Sequence, residues 1–202
     1  MLNFLGNIKG RVGDKRGARQ AFEQVVAKDP NFRPGGINLS WLDIEEKRFD
    51  EARARLQKML TTRADDPDVL YEIGVLELRA GRPEEALQHW KKAHEVQRAD
   101  PRPGLATIDA LMGQRKPDAA AAAAKSLAAA YPEEINVQLT LSQALLGNGD
   151  TAQARQALQE ATRLAGFDAD RQVHIGRLQL SAGNPEGASH NVTKRCRRGQ
   201  MT

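Results

Sequence analysis

The sequence predicts an all-α solenoid of about six helix-turn-helix units, each 34 residues long. Three observations carry this. Alanine recurs in one register at Ala18, Ala52, Ala86, Ala120, Ala154 and Ala188. About one residue in six is alanine here, so such a run arises by chance on the order of once in tens of thousands of registers. Five residues before each alanine stand Gly13, Lys47, Gly81, Arg115, Gly149 and Gly183. Four residues after it stand Phe22, Leu56, Trp90, Ala124, Leu158 and Val192, bulky except at 124.

The repeat frames are 1–32, 33–66, 67–100, 101–134, 135–168 and 169–188. Within each frame a first helix offers a small residue to the alanine of the second, so that the two helices cross closely. The small residues are Gly6, Ser40, Gly74, Ser142 and Gly176, with Ile108 the exception. Glycine between the helices supplies the positive φ of a helix C-cap and tight turn. Asp66-Pro67 and Asp100-Pro101 are read as N-cap acceptors followed by a proline at the first helical position. Pro83, Pro117 and Pro185 open second helices in the same way. The run "DAAAAAAKSLAAAYP" at 118–132 leaves two readings open: close packing of a good helix former, or a thin repeat where the array flexes.

Composition agrees with helix. Aromatics are only 4% of the chain, and unbranched Ala, Leu, Arg, Gln and Glu dominate. The net charge of +4 sits in one place: Lys194, Arg195, Arg197 and Arg198 lie in a tail without acids, and the rest balances. The body therefore has no electrostatic basis for binding nucleic acid. No apolar run approaches the roughly 18 residues of a membrane span, so no membrane insertion by this chain is expected. The N-terminus does not read as a signal peptide, which makes the chain cytoplasmic as it stands. The one cysteine, Cys196, falls in the basic tail, and residues 189–202 are expected to be disordered because the pattern fails after Ala188. Neither end carries a convincing polar cap, so the chain reads as a stretch of a longer array, with end-to-end self-association a further expectation.

The segment "LYEIGVLELRAGRPEEALQHWKKA" at 70–93 brings these features together. It resembles the tetratricopeptide repeat (TPR): large-x-x-large-Gly, a turn glycine, a close-packing alanine, an aromatic and a second alanine. The resemblance covers about residues 1–190 and implies a right-handed superhelix. It departs from the family where the aromatic that opens the second helix appears only as Phe49, and where Ala124 replaces a bulky residue. More loosely, the Ala/Gln/Arg-rich repeats resemble those of bacterial TPR lipoproteins of exosortase (PEP-CTERM) export systems, which would place a parent protein in the periplasm.

No enzyme signature is present: there is no phosphate loop, metalloprotease motif or nucleophile elbow. His89 and His94 are five apart on a helix and do not share a metal-binding face; all four histidines are read as surface groups. No catalytic residue, metal site or cofactor is expected. The resemblance instead implies a protein or peptide ligand held along the first helices. Carried over by position, the groove residues are Trp41, Glu45, Tyr71, Val75, Arg79, Asp109, Met112, Gln143, Leu146 and Arg177. Ile37, Leu105, Leu139 and Val173 share that register, and the first three are candidates for packing between repeats instead. Trp41 and Tyr71, in consecutive repeats, form the expected aromatic anchor. Asn3, Asn7 and Asn38 match part of a family pattern that clamps a terminal carboxylate. Asp68 and Glu72 fall where that pattern has lysine and arginine, which argues against a chaperone-tail adaptor. The alternative to a self-contained scaffold is the TPR segment of a larger protein, such as a glycosyltransferase, whose catalytic domain lies elsewhere.

Overall fold

The computed structural model describes residues 1–196, and among them every regular element is an α-helix. They divide into two compact units, Met1–Asp100 and the residues from Pro101 onward. Unit one holds α1 (Leu2–Arg11), α2 (Lys15–Lys28), α3 (Arg33–Glu45), α4 (Phe49–Thr62), α5 (Pro67–Arg79) and α6 (Pro83–Val96). Unit two holds α7 (Arg102–Gly113), α8 (Pro117–Ala130), α9 (Ile135–Gly147), α10 (Thr151–Ala165), α11 (Ala169–Ser181) and α12 (Pro185–Cys196). Each unit is three helical hairpins.

The inter-helix turn is the same in all six hairpins. Residues 13, 47, 81, 115, 149 and 183 all have positive φ, including the non-glycines Lys47 (60°) and Arg115 (58°). In each, the N–H that follows donates to the carbonyl five residues back, as Arg48 to Asp43 at 2.7 Å and Lys116 to Leu111 at 3.0 Å. This is the hydrogen bond of a Schellman turn. Its geometry is thus imposed even where a Cβ makes the left-handed region unfavourable by about 1 kcal/mol.

Helix starts mostly follow the expected chemistry. Asp66 accepts from the N–H groups of Asp68 and Val69 at 3.1 and 3.2 Å. Asp14 and Asp168 do the same for Gly17 and Arg171. Pro83, Pro117 and Pro185 each begin a helix. The Asp100-Pro101 start is corrected by one residue: α7 opens at Arg102, because its first helical bond runs from the Leu105 N–H to the Pro101 carbonyl at 3.0 Å.

The end of the array also differs from expectation. α12 continues past Ala188 to Cys196, since residues 189–196 contain neither proline nor glycine and helix continuation does not require the apolar pattern. Asn191 is buried there, its amide 3.4 Å from the Thr162 hydroxyl. The expectation of disorder for 197–202 lies outside the described residues.

Packing inside the hairpins is an exchange of volume. A Cβ on Gly6 would run into the Phe22 ring, and one on Gly74 into Trp90. The Trp90 indole N–H donates to the Tyr71 carbonyl at 3.0 Å, which satisfies its polar edge within the core. In the fourth hairpin the sizes invert. Ile108 occupies the small position and Ala124 the bulky one, and both are buried in a cluster with Ala120, Leu127, Val137 and Ala144. The alanine-rich repeat is therefore filled from the other helix. The thin-repeat reading does not fit this packing.

Between hairpins, the two units differ. Asp43, on α3, is buried with its side chain 2% exposed. It receives Arg19 at 2.8 Å, Arg48 at 2.6 Å and Arg55 at 2.5 Å. One repeat on, Glu77 receives Arg53 at 3.0 Å and Arg82 at 2.5 Å. In unit two the corresponding residues are Leu111, Leu145 and Gln179: Leu111 packs against the Ile108–Ala124 cluster and Leu145 with Ala121 and Ala154.

Candidate functional site

The residues assigned to a groove all lie on first helices, and the structure distributes them over both units. In unit one, Trp41 and Glu45 are on α3, and Tyr71, Val75 and Arg79 on α5. In unit two, Asp109 and Met112 are on α7, Gln143 and Leu146 on α9, and Arg177 on α11.

Trp41 is 47% exposed, one of the few large apolar side chains left open by the core. Its neighbours on α3 explain this: Leu42, Asp43 and Ile44 turn inward and are buried, and Ser40 fills the close contact with α4. Glu45 is exposed, and its carboxylate takes the Lys15 ammonium at 2.9 Å. Tyr71 and Val75 are half-buried, flanked on α5 by the buried Leu70, Ile73, Gly74 and Leu76. Arg79 is exposed in the last turn of α5, where a cation suits the helix dipole.

The unit-two residues are less open. Met112 is half-buried against the Ile108–Ala124 cluster, and Leu146 packs against a cluster containing Ile135, Leu158 and Ile175. Ile37, Leu105 and Leu139 are likewise half-buried against their cores. Gln143 is half-buried, while Asp109 and Arg177 are exposed. Although the residue as a whole is exposed, partial burial of its carboxyl pushes the Asp109 pKa up. Among the residues assigned to the groove, the large apolar group most open is thus Trp41, in unit one.

Three asparagines join the unit-one surface. The Asn38 amide donates to the Asn3 side-chain oxygen at 3.0 Å and to that of Asn7 at 3.1 Å, tying α3 to α1. Asp68 is engaged by Arg33 at 3.1 Å. Asp66 is also held by Arg33, at 2.8 Å. Burial pushes the Asp66 carboxyl up, but the hydrogen bonds from Arg33 and the Val69 N–H and the charges of Arg33 and Arg63 outweigh it, and its pKa is lowered.

Sequence reasoning missed the buried arginine–carboxylate sets, because Arg19 and Asp43 are 24 residues apart and match no motif. It also treated His89 and His94 as surface groups. Both are half-buried, and burial pushes the His89 pKa down, with Glu77 opposing and Lys92 adding to that shift. Among the described residues no group of His, Cys, Asp or Glu is arranged to hold a metal ion, and no helix is long and apolar enough to cross a membrane.

Comparison with known proteins agrees with this architecture. The tetratricopeptide repeat family model matches residues 12–71, 43–107 and 111–174. The chain is 28% identical over 153 residues to cellulose synthase operon protein C of Pseudomonas fluorescens, covering 72% of this chain and 12% of that protein. The structure is similar to that of Pseudomonas aeruginosa PilF, with a TM-score of 0.68, 18% identity, and coverage of 100% of this chain and 91% of the other. It is also similar to a thermophilic TPR protein of Thermus thermophilus, with a TM-score of 0.69 and 17% identity over 89% of this chain and 97% of that one. YrrB, described as a TPR protein with an unusual peptide-binding site, gives 0.55 and 16% identity over 88% and 91%. At such identities the structural similarities speak to the fold alone.

Proposed function

The chain belongs to the tetratricopeptide repeat family, and on that premise we propose that it is a non-enzymatic scaffold that binds a protein or peptide partner on the first-helix face of unit one. The observation that carries this is Trp41, exposed on α3 in a chain whose other tryptophan is buried. An exposed aromatic flanked by charged residues such as Glu45 and Arg79 is the composition of an interface hot spot. The test is capture of partners with the full chain against Trp41→Ala combined with Tyr71→Ala. Loss of the captured partner is expected; unchanged recovery, with an unchanged circular dichroism spectrum, would count against the reading.

The partner belongs, on this proposal, to a bacterial envelope or polysaccharide export system. Support comes from the similarity to a protein named for a cellulose synthase operon. The chain spans about 12% of that relative's length, which also favours the second reading: a TPR segment serving a larger protein whose catalytic domain lies outside these residues. The DNA flanking the reading frame decides between the two.

A further reading, end-to-end association, rests on α1. Phe4, Leu5, Ile8 and Val12 are all exposed, whereas Leu39 and Leu42, one repeat after Leu5 and Ile8, are buried. Light scattering on the intact chain tests it; a monomer at high concentration removes it.

A further inference from the structure

A cavity of about 700 Å³ opens in unit one among the end of α2, the start of α3 and the second half of α4. It lies apart from the first-helix surface around Trp41. None of the groove residues lines it.

The cavity has an identifiable cause in the sequence. At the same place in the next repeat stands Leu70, which is 1% exposed and fills the space with its own side chain. In the fifth and sixth repeats the place is taken by Gln138 and Gln172. Their amides donate to the carbonyls of Pro132 at 3.1 Å and Gly166 at 2.7 Å, in the turns that precede their helices. In the second repeat the residue is Gly36. A Cβ added there would meet only Met59, with the sulfur at 3.1 Å and the terminal methyl at 3.5 Å. In the fourth repeat the place is again glycine, Gly104, but a Cβ there would run into Leu127, so the facing helix fills it; at Gly36 only Met59 comes near, and the space beside it is the cavity.

What surrounds the opening is chemically one-sided. Val26, Met59 and Val69 give it an apolar wall, and Phe32 stands at its edge, 38% exposed. Arg33, Arg55, Lys58 and Arg63 border it, against a single lining carboxylate, Asp66. Arg33 is engaged by Asp66 and Asp68, and Arg55 by Asp43. Lys58 and Arg63 are the exposed cations, with Arg63 3.8 Å from Asp66. An apolar hollow of this volume under a cationic rim complements an apolar group carried between negative charges.

We propose that this cleft receives an aliphatic side chain of leucine or methionine size from an acidic segment of a partner protein. The side chain takes the place that Leu70 fills in the following repeat, and the flanking carboxylates meet Lys58 and Arg63. The site is independent of the Trp41 surface and stands or falls separately from it.

The test is a titration of the isotope-labelled full chain, followed by amide NMR, with a blocked acidic peptide carrying one central leucine. Saturable shifts are expected at residues 31–36 and 58–63. Replacing the peptide's leucine by alanine weakens binding about tenfold or more, the range expected for losing several methylenes from a fitted pocket. Replacing its acids by lysines removes binding. Gly36→Leu fills the hollow and abolishes the shifts. Because that change must displace Met59, Lys58→Glu with Arg63→Glu serves as a second variant on exposed positions and weakens the peptide roughly tenfold. Trp41→Ala with Tyr71→Ala leaves this titration unchanged. The proposal is overturned if the peptide gives no saturable shifts or shifts only α3 and α5 residues around Trp41. It is also overturned if the charge reversals change nothing, or if dodecanoate saturates these amides while the peptide does not.

Discussion

The two units answer the same packing problem with different chemistry. Where a first helix meets the preceding hairpin, unit one places a buried carboxylate, Asp43 or Glu77, under a set of arginines. Unit two places Leu145 among alanines. In the last hairpin the residue in this register is Gln179, which accepts from the Asn184 amide at 2.6 Å. There Arg155 donates instead to the Ala182 and Gly183 carbonyls at 2.7 and 2.9 Å. The backbone turn is unchanged throughout. The comparison teaches that the repeat fixes shape at this place and leaves the chemistry free, provided every charge it buries has a partner. Hydrocarbon needs only volume; a carboxylate needs its whole ring of donors, and so ties three helices together by direction as well as by contact.

The contrast is broken most severely by removing one carboxylate. Asp43→Ala leaves three arginines facing a buried gap and is expected to cost about 3–5 kcal/mol, read from urea unfolding. A loss below about 1 kcal/mol would mean that water already satisfies these arginines and that the set behaves as a surface ion pair. On the hydrocarbon side, Ile108→Ala should cost about 2–5 kcal/mol through the cavity it leaves. Adding Ala124→Leu should return at least half of that loss, because it restores the arrangement of Ser142 and Leu158. Strictly additive effects in the double variant would show that the two positions do not exchange volume.

Smaller effects sharpen the comparison. The Asp66 pKa is lowered in the folded chain, so its contribution is present above the ordinary carboxylate value and is lost as pH falls through the lowered one. Stability should therefore decline as pH drops below about 4, and Asp66→Asn should flatten that decline. A pH dependence identical to wild type would remove Asp66 from the account. Smallest is the pair Lys47→Gly and Arg115→Gly. Each relieves a positive φ and should stabilise by about 0.5–1 kcal/mol in thermal melts. Equal gains are expected, since the turn is common to both units; a gain in one alone would mean that the units strain their turns differently.

Much of this fold was legible in advance because the repeat writes its steric demands in residue size. Gly74 against Trp90 and the turn residues at 13, 81, 149 and 183 are read directly from a step of 34. The exceptions Ile108 and Ala124 were each visible, but their mutual compensation is a three-dimensional fact: they lie sixteen residues apart on facing helices. The carboxylate sets were hidden for another reason. Asp43 and Glu77 have the composition of solvated surface, and only the fold reveals that they are buried. At the candidate site, register located the first-helix positions but could not separate open from packed ones. Met112 and Leu146 lean on the core while Trp41 stands clear, a difference decided by the neighbours each helix meets.

Both tryptophans, Trp41 and Trp90, fall in unit one, one open to solvent and the other 1% exposed under the Tyr71 carbonyl. Indole emission from this protein therefore reports on its N-terminal half alone, and the C-terminal half is silent under selective excitation. The two indoles also respond to different events: quenching of Trp41 follows occupancy of the surface, and the emission of Trp90 follows opening of the hairpin that encloses it. Far-ultraviolet ellipticity, which counts helices in both halves, supplies the missing half of the signal. Melts recorded by the two methods on one unmodified sample reveal whether the halves unfold together or in turn.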